Sequence, residues 1–106
     1  MARQCIYKNI TTSPTETTLI ARGSSVQPIL DKILISNFSD DGGGATVNLF
    51  LEDASDVDFY FFKNVVISKG ATLVFDDNFD YDKSKFALKL YNTGTSPALT
   101  VIIKFK

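Results

Sequence analysis

Ala45-Thr46-Val47-Asn48-Leu49-Phe50-Leu51-Glu52 decides the fold: Val47, Leu49 and Leu51 alternate with Thr46, Asn48 and Glu52. A period of two puts the three aliphatic side chains on one side of an extended chain, whereas a helix would repeat every 3.6 residues. The same period recurs on either side of this segment. Upstream, Ile33 and Ile35 share a face. Downstream, Phe86, Leu88 and Leu90 alternate with Lys85, Ala87 and Lys89, and Leu99, Val101, Ile103 and Phe105 alternate with Thr100, Ile102, Lys104 and Lys106. Turn-forming clusters separate these runs: Thr11-Thr12-Ser13-Pro14, Gly23-Ser24-Ser25, Asp40-Asp41-Gly42-Gly43-Gly44, Ser68-Lys69-Gly70 and Asn92-Thr93-Gly94-Thr95-Ser96-Pro97. Eight strands are predicted, at roughly 4–10, 17–22, 29–37, 45–52, 58–67, 71–76, 84–91 and 98–106. Short strands at this spacing predict an all-β protein, a single-domain antiparallel β-sandwich over 1–106, jelly-roll-like or Ig-like.

Composition narrows the chemistry. The chain has 106 residues, 11 Lys and Arg, 12 Asp and Glu, and a formal charge of −1. That length is one domain with one core. There is no His and a single Cys. Imidazole acid–base chemistry, intrachain disulfides and multi-Cys zinc sites are therefore excluded. Nothing supplies a nucleophile with an adjacent base, so no enzyme is predicted. A charge near zero argues against nucleic-acid binding, which needs a basic surface. No run approaches the roughly 18 apolar residues of a membrane span, and no apolar run follows Met1-Ala2-Arg3-Gln4-Cys5 to mark a secretory leader. Cys5 itself, in Cys5-Ile6-Tyr7, is predicted to be a small buried hydrophobe.

The outer faces hold the informative residues. By alternation Leu34, Phe50 and Ile102 point away from the core, and Phe59-Tyr60-Phe61-Phe62 is apolar on both faces. Antiparallel sheets usually keep one face wet, so grouped apolar residues there mark an interaction surface unless the chain covers them itself. Either a loop or the N-terminal arm covers these residues, or another subunit does. Leu34, Phe50, Ile102, Phe59, Tyr60, Phe61 and Phe62 are the candidate protein interface. Tyr60, Tyr81 and Tyr91 are candidates for a carbohydrate platform, although tyrosines scattered in a β domain more often serve core or interface.

Ten of the twelve acids fall in three groups: Asp40 and Asp41; Glu52, Asp53, Asp56 and Asp58; Asp76, Asp77, Asp80 and Asp82. If strands simply alternate direction, the 53–58 and 76–83 loops share one end, and the loops at 11–16, 39–44 and 92–97 share the other. Three readings of the acidic end compete. Asp76, Asn78, Asp80 and Asp82 space oxygen ligands at every second position, as a Ca2+ loop would. Against this, Tyr81 stands where an EF-hand has its glycine, and Ala87 where it has its last acid. Paired carboxylates could serve glycoside hydrolysis, but no Trp is present to stack on a sugar. The third reading, a solvated acidic surface that keeps the domain soluble or meets a basic partner, needs nothing further and takes most of the weight. Gly42-Gly43-Gly44 opens a strand, not a helix, and so reads as a hairpin tip, not a phosphate loop.

Laid out in order, these segments resemble a family of small β-sandwich virion structural proteins of tailed phages, common among cyanophages. The resemblance rests on Thr17-Thr18-Leu19-Ile20-Ala21, on Ile33-Leu34-Ile35-Ser36-Asn37 with its Gly-rich turn, and on Ala45 to Leu51. It continues through Asn64-Val65-Val66-Ile67-Ser68-Lys69-Gly70-Ala71-Thr72-Leu73 to Leu99-Thr100-Val101-Ile102-Ile103. Ser68 stands where relatives tend to have proline, and the 76–82 loop is unusually rich in Asp. The resemblance implies a non-enzymatic virion component, made in the host cytoplasm. It does not say which component; one compact domain with no long arm, coiled coil or tube-forming hairpin insertion favours a capsid decoration (cement) protein docking on the shell lattice through an apolar sheet face. The alternatives are a ring-forming neck, tail or baseplate accessory, or a carbohydrate-binding host-attachment module. The implied partners are other virion subunits, such as the major capsid or neck and tail proteins, and further copies of the chain in a homo-oligomer. Neither nucleic acid nor membrane is implied, and no cofactor beyond the Ca2+ considered above.

Overall fold

Strands form where the period of two places them. The structure, a computed structural model, describes residues 5–23, 29–39, 44–76, 79–94 and 98–105. Its strands are β1 (Cys5–Ile10), β2 (Thr15–Ile20), β3 (Ile29–Asn37), β4 (Ala45–Glu52), β5 (Asp58–Ile67), β6 (Thr72–Phe75), the two-residue β7 (Phe79–Asp80), β8 (Ala87–Thr93) and β9 (Leu99–Phe105). Among the described residues there is no helix.

Pairing is antiparallel and nested: β1 with β9, β2 with β8, β3 with β6, and β4 with β5. Lateral pairs β3–β9 and β4–β8 join these hairpins into two sheets. One runs β1-β9-β3-β6, with β7 beside β3; the other runs β2-β8-β4-β5. A long hairpin rolled on itself gives this order, which is the jelly roll and not the immunoglobulin arrangement. Leu30, Ile33, Ile35, Leu99, Val101 and Ile103 of the first sheet face Val47, Leu49, Leu88 and Leu90 of the second, and all are fully buried. Each contributes about 1.5–3 kcal/mol by leaving water.

Two strands depart from the sequence prediction. The predicted strand 84–91 starts later, at Ala87, because Asp82 opens a turn. Its carbonyl accepts the Lys85 and Phe86 N–H groups at 3.1 and 3.0 Å, and its carboxylate accepts the Ser84 N–H at 3.0 Å. The same strand runs on to Thr93, with Asn92 fully buried on the inner face and its Nδ2 donating to the Thr12 carbonyl at 3.0 Å. The strand predicted at 17–22 ends at Ile20. Arg22 turns away to donate to the carbonyls of Asp53 (2.8 Å) and Lys85 (3.2 Å), and Gly23, at φ +80°, donates to Lys83 O at 2.6 Å.

These Arg22 and Gly23 contacts tie the 53–57 loop to the 81–86 loop at one end of the sandwich; simple alternation puts the 53–58 and 76–83 loops there, and of the latter Phe79 and Asp80 instead form β7 beside β3. At the other end, Gly70 N–H meets Asn37 O (2.7 Å) and Phe38 N–H meets Ala98 O (2.8 Å). Gly94, at φ +138°, lies so close to Gly44 that a Cβ there would sit 2.9 Å from the Gly44 carbonyl oxygen. Gly42 and Gly43 of the predicted hairpin tip lie outside the described residues.

Candidate protein-interaction surface

The outer face of the five-stranded sheet carries three rows that follow directly from register. Tyr7 stands opposite Ile102, Ile102 opposite Leu34, and Leu34 opposite Val74. Cross-strand neighbours on one face of an antiparallel pair have Cβ atoms about 5 Å apart, so these four form one apolar row across β1, β9, β3 and β6. Tyr7 is 68% and Val74 49% exposed, with Ile102 and Leu34 half-buried between them. On one side lies a row of short polar groups: Asn9, Thr100, Ser36 and Thr72. Thr100 Oγ1 donates to Asn9 Oδ1 at 2.9 Å, and the Ser36 and Thr72 hydroxyls are 2.8 Å apart. On the other side Cys5, Lys104 and Lys32 are in register, with Asp76 just beyond the last paired residue of β6. Cys5 is half-buried at the sheet edge, not enclosed in the core as its apolar neighbours predict.

Leu34 and Ile102 thus stand where alternation puts them and share one open row. Their two other row-mates, Tyr7 and Val74, escaped the sequence reading. The signal was present in both cases. Ile6 and Ile10 claim the inner face of β1 and leave Tyr7 outside, while Thr72-Leu73-Val74-Phe75 is apolar on both faces.

The outer face of the four-stranded sheet differs. Phe50 also points outward, in register with Tyr60 and Lys89, yet it is only 2% exposed. The Tyr60 ring packs 5.3 Å from it, and Lys63 in turn lies 4.8 Å above the Tyr60 ring. Phe50 is therefore covered by its own chain and offers no contact surface. Lys89 bridges Glu52 (2.6 Å) and Glu16 (3.2 Å). It holds the Glu52 carboxyl below the usual carboxylate range, and the two acids hold the ammonium above its own. Asp58, opposite Glu52, is pushed up by partial desolvation and then by the Glu52 carboxylate.

The four aromatic residues of β5 split. Register shifts between Val47 and Leu49, and again between Leu49 and Phe50, break the strict alternation, with Asn64 at φ +59° donating its N–H to Asn48 Oδ1 at 2.6 Å. Phe61 and Phe62 consequently both pack on the core, against Phe75 at 5.5 and 6.0 Å. Phe59 and Tyr60 stay 52% and 44% exposed at the sheet edge, Phe59 edge-on to Phe86 at 5.8 Å.

The acidic loops are built as turns. Asp53 Oδ1 accepts the N–H groups of Ser55 (2.8 Å) and Val57 (3.0 Å), and Asp53 N–H meets the Val57 carbonyl, so the 53–57 hairpin is fixed with Asp56 at φ +62°. Asp80 pairs with Lys83 at 2.9 Å and accepts the Tyr81 N–H. Both the Asp80 and Asp82 carboxyls lie below their usual range, Asp80 chiefly through Lys83 and Asp82 chiefly through the Ser84 hydroxyl. Asn78 of the predicted Ca2+ loop lies outside the described residues. Among the described residues, no three acids or cysteines converge as metal ligands. The three tyrosines do not form a platform: Tyr81 packs against the core, where burial raises its phenol, while Tyr60 and Tyr91 belong to the opposite sheet. A cavity of about 330 Å3 opens beside Arg22, Ser55, Lys85 and Phe86. Its Arg22 guanidinium already binds two loop carbonyls.

No protein-family model and no curated protein matches the sequence. Among solved structures, the nucleoplasmin-like N-terminal domain of Drosophila FKBP39 is similar at 15% identity and a TM-score of 0.44, over 95% of this chain and 88% of that one. Structures of the Gt and Gx strains of infectious bursal disease virus are similar at 9% identity, with TM-scores of 0.41 and 0.40. They cover 99% and 98% of this chain, and 31% of each viral chain. Likenesses this loose carry no function across.

Proposed function

We propose that this chain is a non-enzymatic structural protein of a tailed-phage virion, a capsid decoration protein that works through protein–protein contact and needs no cofactor. The observation that carries the reading is the open row Tyr7–Ile102–Leu34–Val74, an apolar line on a sheet face that alternation assigns to water. The sequence resemblance to small β-sandwich virion proteins supports the setting. The jelly roll is shared by capsid and lectin domains and does not choose between them; the open row favours a protein partner over a sugar. The experiment is immunogold labelling of particles raised from the genome that encodes the chain. Label over the shell is the expected result. Label confined to the neck or tail would move the chain to a ring-forming accessory, and particles without label would overturn the virion reading.

A further inference from the structure

Among the described residues none covers the open row, and a second surface of the chain complements it. Asp56-Val57-Asp58-Phe59, at the tip and first strand residues of the β4–β5 hairpin, alternates acid and apolar side chains. All four are exposed, with Val57 at 48% and Phe59 at 52%. Asp53 fixes this tip from within, so docking it costs little ordering entropy. The acids here outnumber the cations that act on them: Glu16, Glu52 and Asp58 gather around the Lys89 ammonium, with the Arg22 guanidinium acting on Glu52 from further off. The row offers the opposite pattern, apolar residues bordered by Lys32 and Lys104. The two surfaces lie on different sheets and do not overlap. A face-on-face dimer of two rows would gather four lysines against the two Asp76 carboxylates, and the excess of like charge is unfavourable.

We propose that the hairpin tip of one copy docks on the apolar row of the next, with Asp56 and Asp58 meeting Lys32 and Lys104. The contact is head-to-tail. Such heterologous contacts build rings when the rotation closes and filaments when it does not. This deepens the virion reading by naming the row's first partner as a second copy of the chain. An isolated monomer that still labels the shell would overturn this contact and leave the virion reading standing.

Sedimentation of the full chain at about 1 mM, where even a millimolar contact is half formed, tests the contact directly. Assemblies larger than twice the 11.7 kDa monomer are expected, dissociating as salt rises. The double variants Lys32→Glu/Lys104→Glu and Asp56→Lys/Asp58→Lys change exposed or half-buried charges and are expected to stay folded, with a single cooperative melting transition. Each alone should self-associate about 10-fold or more weakly. Mixed one to one, they restore both charge pairings and with them the wild-type assembly. A wild type that stays monomeric, a mixture that fails to reassemble although both variants fold, or an Asp56→Lys/Asp58→Lys variant that still dimerises alone would each overturn the proposal. The last would mean that the row meets itself.

Discussion

Each sheet sends an apolar residue to its outer face, and the two sheets treat it differently. Phe50 is sealed because long neighbours stand in register with it: Tyr60 lies over the ring, Lys63 over Tyr60, and Lys89 occupies the other flank. Leu34 and Ile102 stay open on the flank where their neighbours along the strands are short, Ser36, Thr72 and Thr100, although Lys32 and Lys104 border them on the other. The same break in alternation therefore has two meanings. Which one applies depends on the reach of the cross-strand neighbours, not on the apolar residue itself.

That contrast breaks first at Phe50. Phe50→Ala is expected to cost about 3 kcal/mol, the low end for a buried phenylalanine, and Leu34→Ala about 1 kcal/mol, as for a half-exposed site. Urea midpoints at unchanged m measure both; equal costs would mean that coverage does not distinguish the faces.

Next in size is Lys89→Met, which keeps an apolar stem but removes the cation that pairs with Glu16 and Glu52 and faces Asp58. The expected loss is about 1–2 kcal/mol, shrinking as salt screens the acids. A loss that salt leaves unchanged would assign Lys89 a packing role alone.

The pH dependence sharpens the picture of the charged face. Glu52, lowered by Lys89, contributes stability that is full above its unfolded pKa of about 4.3 and is lost as pH falls through its folded value. Lys89, raised by Glu52, contributes stability that is full below about 10.4 and is lost as pH rises through its folded value. Asp58 runs the other way: its carboxyl is raised, so its cost appears as pH climbs past its unfolded value of about 3.9. Asp58→Asn in dilute protein should therefore melt a few degrees higher than wild type at neutral pH, with the gain vanishing once the acid is protonated. Melting curves across the acid range check the sign.

The smallest change is Val74→Thr, equal in shape and set on the open row. Stability should move by no more than about 0.5 kcal/mol, while self-association weakens. A fall in stability comparable to that of Phe50→Ala would mean that Val74 is covered after all.

The ends of β4 and β5 are legible in the sequence to the residue because turn-formers bound both strands, although only β4 alternates. Those of β2 and β8 are not, for physical reasons. Arg22 leaves its strand to satisfy carbonyls 31 and 63 residues away, and the Asp82 turn borrows residues whose side chains alternate like a strand. Asn92 reads as part of a turn in the sequence, since a polar residue before Thr-Gly usually is one; in the structure it is an inner-face residue anchoring Thr12 O. Of the candidate interface, Leu34 and Ile102 were legible by period alone. Coverage of Phe50 was not, because it depends on which residue of β5 stands opposite, and two register shifts decide that. Phe61 and Phe62 turned inward for the same reason.

The nesting of strands also governs how the chain reaches its fold. β1 pairs with β9, so the first strand made waits for the last, and β9 lies between β1 and β3 in the sheet. Partners this far apart in sequence must close the largest loop before any reward arrives, which makes folding slow for the chain's size. On the ribosome the five-stranded sheet cannot complete until Phe105 has emerged. A chain truncated before β9 would lose the join between its first strand and the rest, and with it two of the four members of the open row.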